Sequence, residues 1–183
     1  MPYKDPTIPS ALQVFASEES VNSLLSSFLQ IKDVSGWFNA TEVPAGSKFN
    51  LTTGFLDKMF TGMAAKYGDD KPVDVQFALT KLDNFTVEEN VPDLTLYADI
   101  RLKFFVETAN DTELAVDITI NNLEYQGQIQ IVNGYNISSN ITKLQVHGIT
   151  VNHSEIGHLG VLKLRLALNV GLAVAAPVIS NKL

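Results

Sequence analysis

The side chains best able to do chemistry gather late in the chain. His147, His153 and His158 fall within twelve residues, with Glu155 among them. Imidazoles and a carboxylate are the donor set of a zinc site when they converge on one point with tetrahedral geometry. Spacings of six and five residues match no common ligand pattern, and a strand followed by a loop scatters such residues. They read as surface histidines, and neither a metal nor a cofactor is expected. The acidic pairs Glu18-Glu19, Asp69-Asp70 and Glu88-Glu89 stand at helix starts and turns, where they serve caps and solubility. A catalytic carboxyl group needs a cleft and a raised pKa, and nothing places these in one. Arg101 and Lys103 are the wet face of one strand. The chain has no Gly-rich phosphate loop, no G-x-S-x-G elbow and no H-E-x-x-H. No catalytic residue is assigned, and the expectation is a protein that is not an enzyme.

The elements behind these residues are mostly strands. Leu94, Leu96, Ala98, Ile100, Leu102, Phe104 and Val106 alternate with Thr95, Tyr97, Asp99, Arg101, Lys103, Phe105 and Glu107. After a polar break at Asn110-Asp111, Leu114, Val116, Ile118 and Ile120 alternate with Ala115, Asp117, Thr119 and Asn121. Leu123, Tyr125, Gly127, Ile129 and Ile131 then alternate with Glu124, Gln126, Gln128 and Gln130. Period-2 patterning means strands with one wet and one apolar face, and short polar connections favour an antiparallel meander. Val73, Val75, Phe77 and Leu79 begin the sheet. Leu144 and Val146 lie on a last strand, with a bulge expected at Gly148 before Ile149 and Val151.

Two helices are expected ahead of the sheet. Ser17-Glu18-Glu19 offers a cap and two acids for the first, with Val21, Leu24, Leu25, Phe28 and Leu29 as its apolar stripe. Thr53 is placed as the cap of the second, which carries Leu56, Met59, Phe60, Met63 and Tyr67 and ends at Gly68. Leu12, Val14 and Ala16, and separately Phe49 and Leu51, suggest short strands; Trp37 and Phe38 suggest a loop or a strand start. The tail after His158 is ambiguous. Leu162 to Val174 alternate as in a strand, whereas the Leu/Ala richness and length favour a helix. Lys163, Arg165 and Asn169 count against a third reading, a membrane span.

Length and charge narrow the classes. One domain over residues 1–183 is expected, long enough to bury a core. Hydrophobic content of 45% with 18% charged residues fits an ordered chain. A net charge of -7 argues against nucleic acid and anionic membranes as partners. There are no cysteines, so cysteine usage leaves the compartment open. N-x-S/T acceptors stand at Asn39, Asn50, Asn84, Asn110, Asn136, Asn140 and Asn152, against roughly two by chance. They point to glycosylation and a secreted protein. Met1-Pro2-Tyr3-Lys4-Asp5 lacks the apolar run of a signal peptide, so a secreted chain is expected to be a mature or excised fragment.

The stretch Ser47-Lys48-Phe49-Asn50-Leu51-Thr52-Thr53-Gly54-Phe55-Leu56, running on into Ala64-Ala65-Lys66-Tyr67, resembles the second domain of the bactericidal/permeability-increasing and lipopolysaccharide-binding protein family. That family includes the plasma lipid transfer proteins. Val75 to Leu79, Leu144-Gln145-Val146 through Ser154-Glu155-Ile156-Gly157, and the ending Ala175 to Leu183 follow the same order. The resemblance covers roughly residues 12 to 183. It implies an α+β, tubular lipid-binding fold, a curved antiparallel sheet wrapped around two long helices, with a helical tail and the family's final strand missing. It also implies an apolar slot for phospholipid or another acyl lipid, roles in lipid transport and innate immunity, and an N-terminal homologous domain in the full-length chain. The family's endotoxin-binding members use a basic tip on the first domain, so endotoxin binding does not carry over to this acidic chain.

The expected slot residues are Leu25 and Phe28 on the first helix, Ile100, Leu102, Phe104, Val116 and Ile118 on strands, and Leu166 and Val170 on the tail. Burial of an acyl chain gains about 0.8 kcal/mol per methylene against water, so the expected mechanism is physical. An interaction module with the same fold and a filled core is the alternative. A β-rich adhesion domain, which predicts a strand tail, and a hydrolase rank below it.

Overall fold

A computed structural model describes residues 17–31, 34–43, 50–87, 93–109, 111–132 and 136–180. The chain order is α1 (Glu18–Ile31), β1 (Ser35–Phe38), a 3-10 turn (Ala40–Glu42), α2 (Thr53–Leu56), α3 (Met63–Tyr67), β2 (Val73–Val87), β3 (Asp93–Glu107), β4 (Thr112–Val132), β5 (Asn136–Ser154) and α4 (Val161–Ser180). The five strands form one sheet in sequence order, every neighbour antiparallel. The expected meander is therefore present. The short strands suggested at Leu12–Ala16 and at Phe49 lie outside the described residues, as does the pair Glu88-Glu89.

The apolar phase of β4 changes from even positions at Val116–Ile120 to odd positions at Leu123, and the pairing explains why. The β3–β4 register shifts between Ala98 and Ile100, where Asn121 and Asn122 stand opposite Asp99 alone. Asn122 takes a left-handed conformation (φ 56°), and its N–H donates to Asp99 Oδ1 at 2.8 Å. This bulge joins two alternating segments into one strand of 21 residues while keeping their apolar sets on the same face. The bulge expected at Gly148 is corrected: Gly148 pairs in register with Asn121. The β4–β5 shifts fall instead between Asp117/Ile118 and Gln126/Gly127. Both strands change phase at the same level, so their pairing need not slip there.

The expected second helix is also corrected. It breaks into α2 and α3 because Gly62 adopts φ 103°, and the Asp57 carboxylate accepts from the N–H groups of Gly62 (2.9 Å) and Ala64 (3.0 Å). The cap of α2 is Thr52, whose Oγ1 accepts from Phe55 N–H at 3.4 Å. Thr53 is fully buried; its hydroxyl donates to Gly68 O and accepts from Lys71 N–H, which clamps the Asp69–Lys71 turn. The helical spacing survives the break: Leu56, Phe60 and Met63 are all buried. They plug one end of the sheet's inner face, where Phe60 meets Phe104 edge-on with ring centroids 4.7 Å apart. Lys66 ties α3 to the sheet through Glu113 (3.3 Å) and Glu155 (3.0 Å).

The picture of a sheet wrapped around two long helices does not hold. The helices have 14, 4, 5 and 20 residues. Even α4 spans only about 30 Å, whereas β4 reaches about 70 Å. The architecture is a five-stranded antiparallel sheet with α1 packed on β2 and α4 on β5. The tail is a helix, against its alternation. Among the described residues no helix is long and apolar enough to cross a membrane.

Candidate functional site

The inner face of the sheet divides into a closed part and a half-open part. Around Phe60 the packing is complete: Val73, Phe104, Val106, Val116 and Ile118 are buried with Leu51, Leu56 and Met63. Farther along the same face the cover thins. Leu102 and Ile100 on β3 are half-buried, and so are Leu79 and Leu82 on β2. Phe77, the cross-strand partner of Leu102, is 39% exposed. Cross-strand partners share a face, so Phe77, Leu79, Ile100 and Leu102 make one apolar run whose side chains keep contact with solvent. The α1 helix packs on β2, yet Leu24 of its expected apolar stripe is 69% exposed.

At the other edge, α4 shields β5. Asn169 reads the backbone of Val146 as a neighbouring strand would: Oδ1 accepts from Val146 N–H (2.6 Å) and Nδ2 donates to Val146 O (3.1 Å). The Arg165 guanidinium donates to His147 O at 2.9 Å. Leu164 is buried, and Leu168 and Leu172 pack against the core, four residues apart on one side of the helix. Leu162, Leu166 and Val170 fall on a different side and stay exposed.

The expected slot residues therefore separate. Phe104, Val116 and Ile118 belong to the closed core. Ile100 and Leu102 line the half-open run. Leu166 and Val170 point away from the core, because the side of α4 bearing Leu164 packs inward. Leu25 and Phe28 lie on α1 with side chains outside the described residues. Phe77 and Leu162 were not among the expected residues. Phe77 had a strand signal but no sign of exposure, and Leu162 shows its helical i, i+4, i+8 register with Leu166 and Val170 only once the tail is read as a helix.

The outer face carries charges. Asp117, almost fully buried, receives Arg101 through Nε (3.0 Å) and Nη2 (2.6 Å) and Asn152 through Nδ2 (3.0 Å). Glu124, equally enclosed, receives Lys143 (2.8 Å) and Gln126 (2.8 Å) and lies 2.6 Å from His147 Nε2. Burial pushes both carboxyls up, but the charged hydrogen bonds outweigh it and hold both below the ordinary range. Glu155 is likewise held down, chiefly by its bond to Lys66. His153 stands 3.1 Å from Glu155 while His147 serves Glu124, so these histidines have separate partners. Among the described residues no three metal-binding side chains converge.

Asp117 and Glu124 bind protons less readily folded than unfolded. Their stabilisation is present above the ordinary carboxyl pKa values, 3.8 and 4.5, and is lost as pH falls through the lower folded values. Thermal melts are expected to change little from neutral pH to about pH 5 and to drop steeply by about pH 3. Asp117→Asn is expected to flatten the acid limb; an unchanged limb would remove Asp117 from the cause.

Among the seven acceptor asparagines, Asn50 and Asn140 are exposed and Asn39 is half-buried. Asn152 is exposed but gives both hydrogens of Nδ2 to Asp117 and Thr119. Asn110 lies outside the described residues, as do the side chains of Asn84 and Asn136.

No protein-family model matches the chain, and no curated protein matches it. Among solved structures, the crystal structure of a lipopolysaccharide binding protein superposes on it with a TM-score of 0.63 at 14% sequence identity. The alignment covers 99% of this chain and 41% of that one. At this identity the likeness is one of fold: the chain has a fold like that of a lipopolysaccharide binding protein and spans about two fifths of its length.

Proposed function

We propose that the chain binds a phospholipid or similar acyl lipid along the half-open apolar run of the inner face, as a carrier and not a catalyst. The carrying observation is that run itself: Phe77, Leu79, Ile100 and Leu102 continue the face of a closed core without sharing its closure. A fold-level likeness to a protein that binds lipopolysaccharide, an acylated molecule, supports the same reading. Acyl chains are held by apolar contact alone, at about 0.8 kcal/mol per methylene against water. Against a membrane interior that gain nearly cancels, and a ligand held this way can be both loaded and released, so transfer is the natural extension.

Secretion and glycosylation are part of this proposal and rest on the seven acceptor sites. So is a homologous N-terminal domain, for which the 41% coverage of a longer chain leaves room. The alternative, an interaction module with a filled core, draws support from the complete closure around Phe104, Val116 and Ile118.

Organic extraction of the purified protein followed by mass spectrometry separates the two. About one acyl lipid per chain is expected, and Ile100→Asp is expected to lower it at least tenfold by placing a charge in the run. A clean extract, repeated after incubation with phosphatidylcholine vesicles, would instead establish the filled-core module.

A further inference from the structure

An amphipathic cavity lies where α4 covers β5. It has a volume of about 410 Å³ and opens between α4 and β5. Val146, Leu162 and Leu166 make its apolar part; His147, Arg165 and Gln145 make its polar rim. The two leucines are 72% and 67% exposed, unusual for large side chains standing four residues apart on one helix, and Val170 extends the stripe by another turn. From Leu162 to Val170 the stripe runs about 12 Å along the axis. The volume falls in the range of small-ligand pockets.

The rim carries one fixed cation, Arg165, in a chain whose net charge is -7. Arg165 spends one hydrogen bond on His147 O and has no ion pair among the described residues. Glu124, which lies 2.6 Å from His147 of the rim, also receives Lys143 at 2.8 Å. Lys163, on the same helix, donates to Thr61. A guanidinium with open N–H groups suits a planar carboxylate through paired hydrogen bonds. Directly beside it the leucine stripe offers an alkyl chain a place to lie.

We propose that this α4–β5 cleft is a site for a fatty carboxylate, its headgroup on Arg165 and its chain along Leu162, Leu166 and Val170. It is separate from the inner-face run: Leu164 and Leu168 turn the other side of α4 toward the core.

The test is calorimetric titration with dodecanoate and with dodecanol, both below their aggregation limits. At the α4–β5 cleft dodecanoate is expected to bind at least tenfold more tightly than dodecanol. Arg165→Gln is expected to erase that preference, and Arg165→Lys to keep part of it. Leu166→Ser, at an exposed position that leaves the core intact, is expected to weaken both ligands. Ile100→Asp, on the inner face, is expected to leave the preference for the acid over the alcohol unchanged, whatever it does to acyl binding on that face. Equal affinity for acid and alcohol, or an unaltered preference in Arg165→Gln, would overturn the headgroup assignment. A preference for the acid lost in Ile100→Asp but kept in Leu166→Ser would place the headgroup site on the inner face and overturn the cleft.

Discussion

Phe60→Ala is expected to destabilise the fold by about 3–5 kcal/mol, the range for an aromatic side chain deleted from a closed core. Phe60 is wholly inaccessible to solvent and is the largest of the fully buried side chains among the described residues. It lies between the broken helices and the sheet and meets Phe104 edge-on. It is held there by a loop of its own making, since Leu56 O accepts from Phe60 N–H at 2.7 Å and Phe60 O accepts from Met63 N–H at 3.1 Å. These bonds fix the turn and keep the backbone from collapsing into the vacated volume, which puts the cost toward the upper end. Urea unfolding followed by circular dichroism measures it directly. A loss under about 1 kcal/mol would mean that the α2–α3 segment repacks and does not act as a fixed plug. The plug also closes one end of the inner face, so the variant that survives folding is expected to admit more lipid, not less.

The second large effect is expected at α4. Asn169→Ala removes both bonds to the backbone of Val146, a residue 1% exposed, and leaves a buried N–H and a buried C=O without partners. An unsatisfied buried polar group costs about 1–3 kcal/mol, so a loss of about 2–4 kcal/mol follows for the pair after some relaxation. The edge of β5 would then lose its polar cover at Val146, and an uncovered edge strand is a template for association. Hydrogen exchange at the Val146 amide is expected to accelerate sharply, with concentration-dependent self-association above it. Unchanged protection at that amide would show that the helix covers the edge by packing through Leu164 and Leu168 and that Asn169 is dispensable.

Much of the sheet was legible because strand alternation is a local property. Each of Leu94 to Val106 points to one of two faces by its position alone, and the register only confirms the assignment. The same logic failed in the tail, where Leu162 to Val174 alternate as strands do yet form a helix. Period-2 placement of leucines also populates every side of a helix, and this is why α4 has both a buried row at Leu164 and an exposed row at Leu162, Leu166 and Val170. The second helix failed for a different reason. Its apolar spacing was right and its burial followed, but the left-handed turn at Gly62 and the Asp57 carboxylate interrupt the hydrogen-bonded ladder between Leu56 and Met63.

The site was less legible than the fold. Residues on one apolar face look alike in sequence, and Ile100 carries no mark that separates it from Ile118. What separates them is cover: Ile118 is fully buried in the cluster that Phe60 and Phe104 share, whereas Ile100 is only half-buried. Alternation puts the acids of the outer face in solvent, whereas Asp117 and Glu124 are enclosed by long cationic side chains from neighbouring strands. That enclosure depends on which residues the register sets side by side.

What the sequence determined by itself is the antiparallel meander, its apolar and polar faces, the cap at Ser17 and the absence of recognisable catalytic motifs. These follow from neighbours along the chain, whose relative directions the backbone dictates. Only the tertiary structure decided where the inner face is sealed, which side of α4 turns inward, and which side chains remain open to a ligand. Those depend on contacts between segments far apart in sequence, and a side chain's exposure is set by what packs over it and not by its own type.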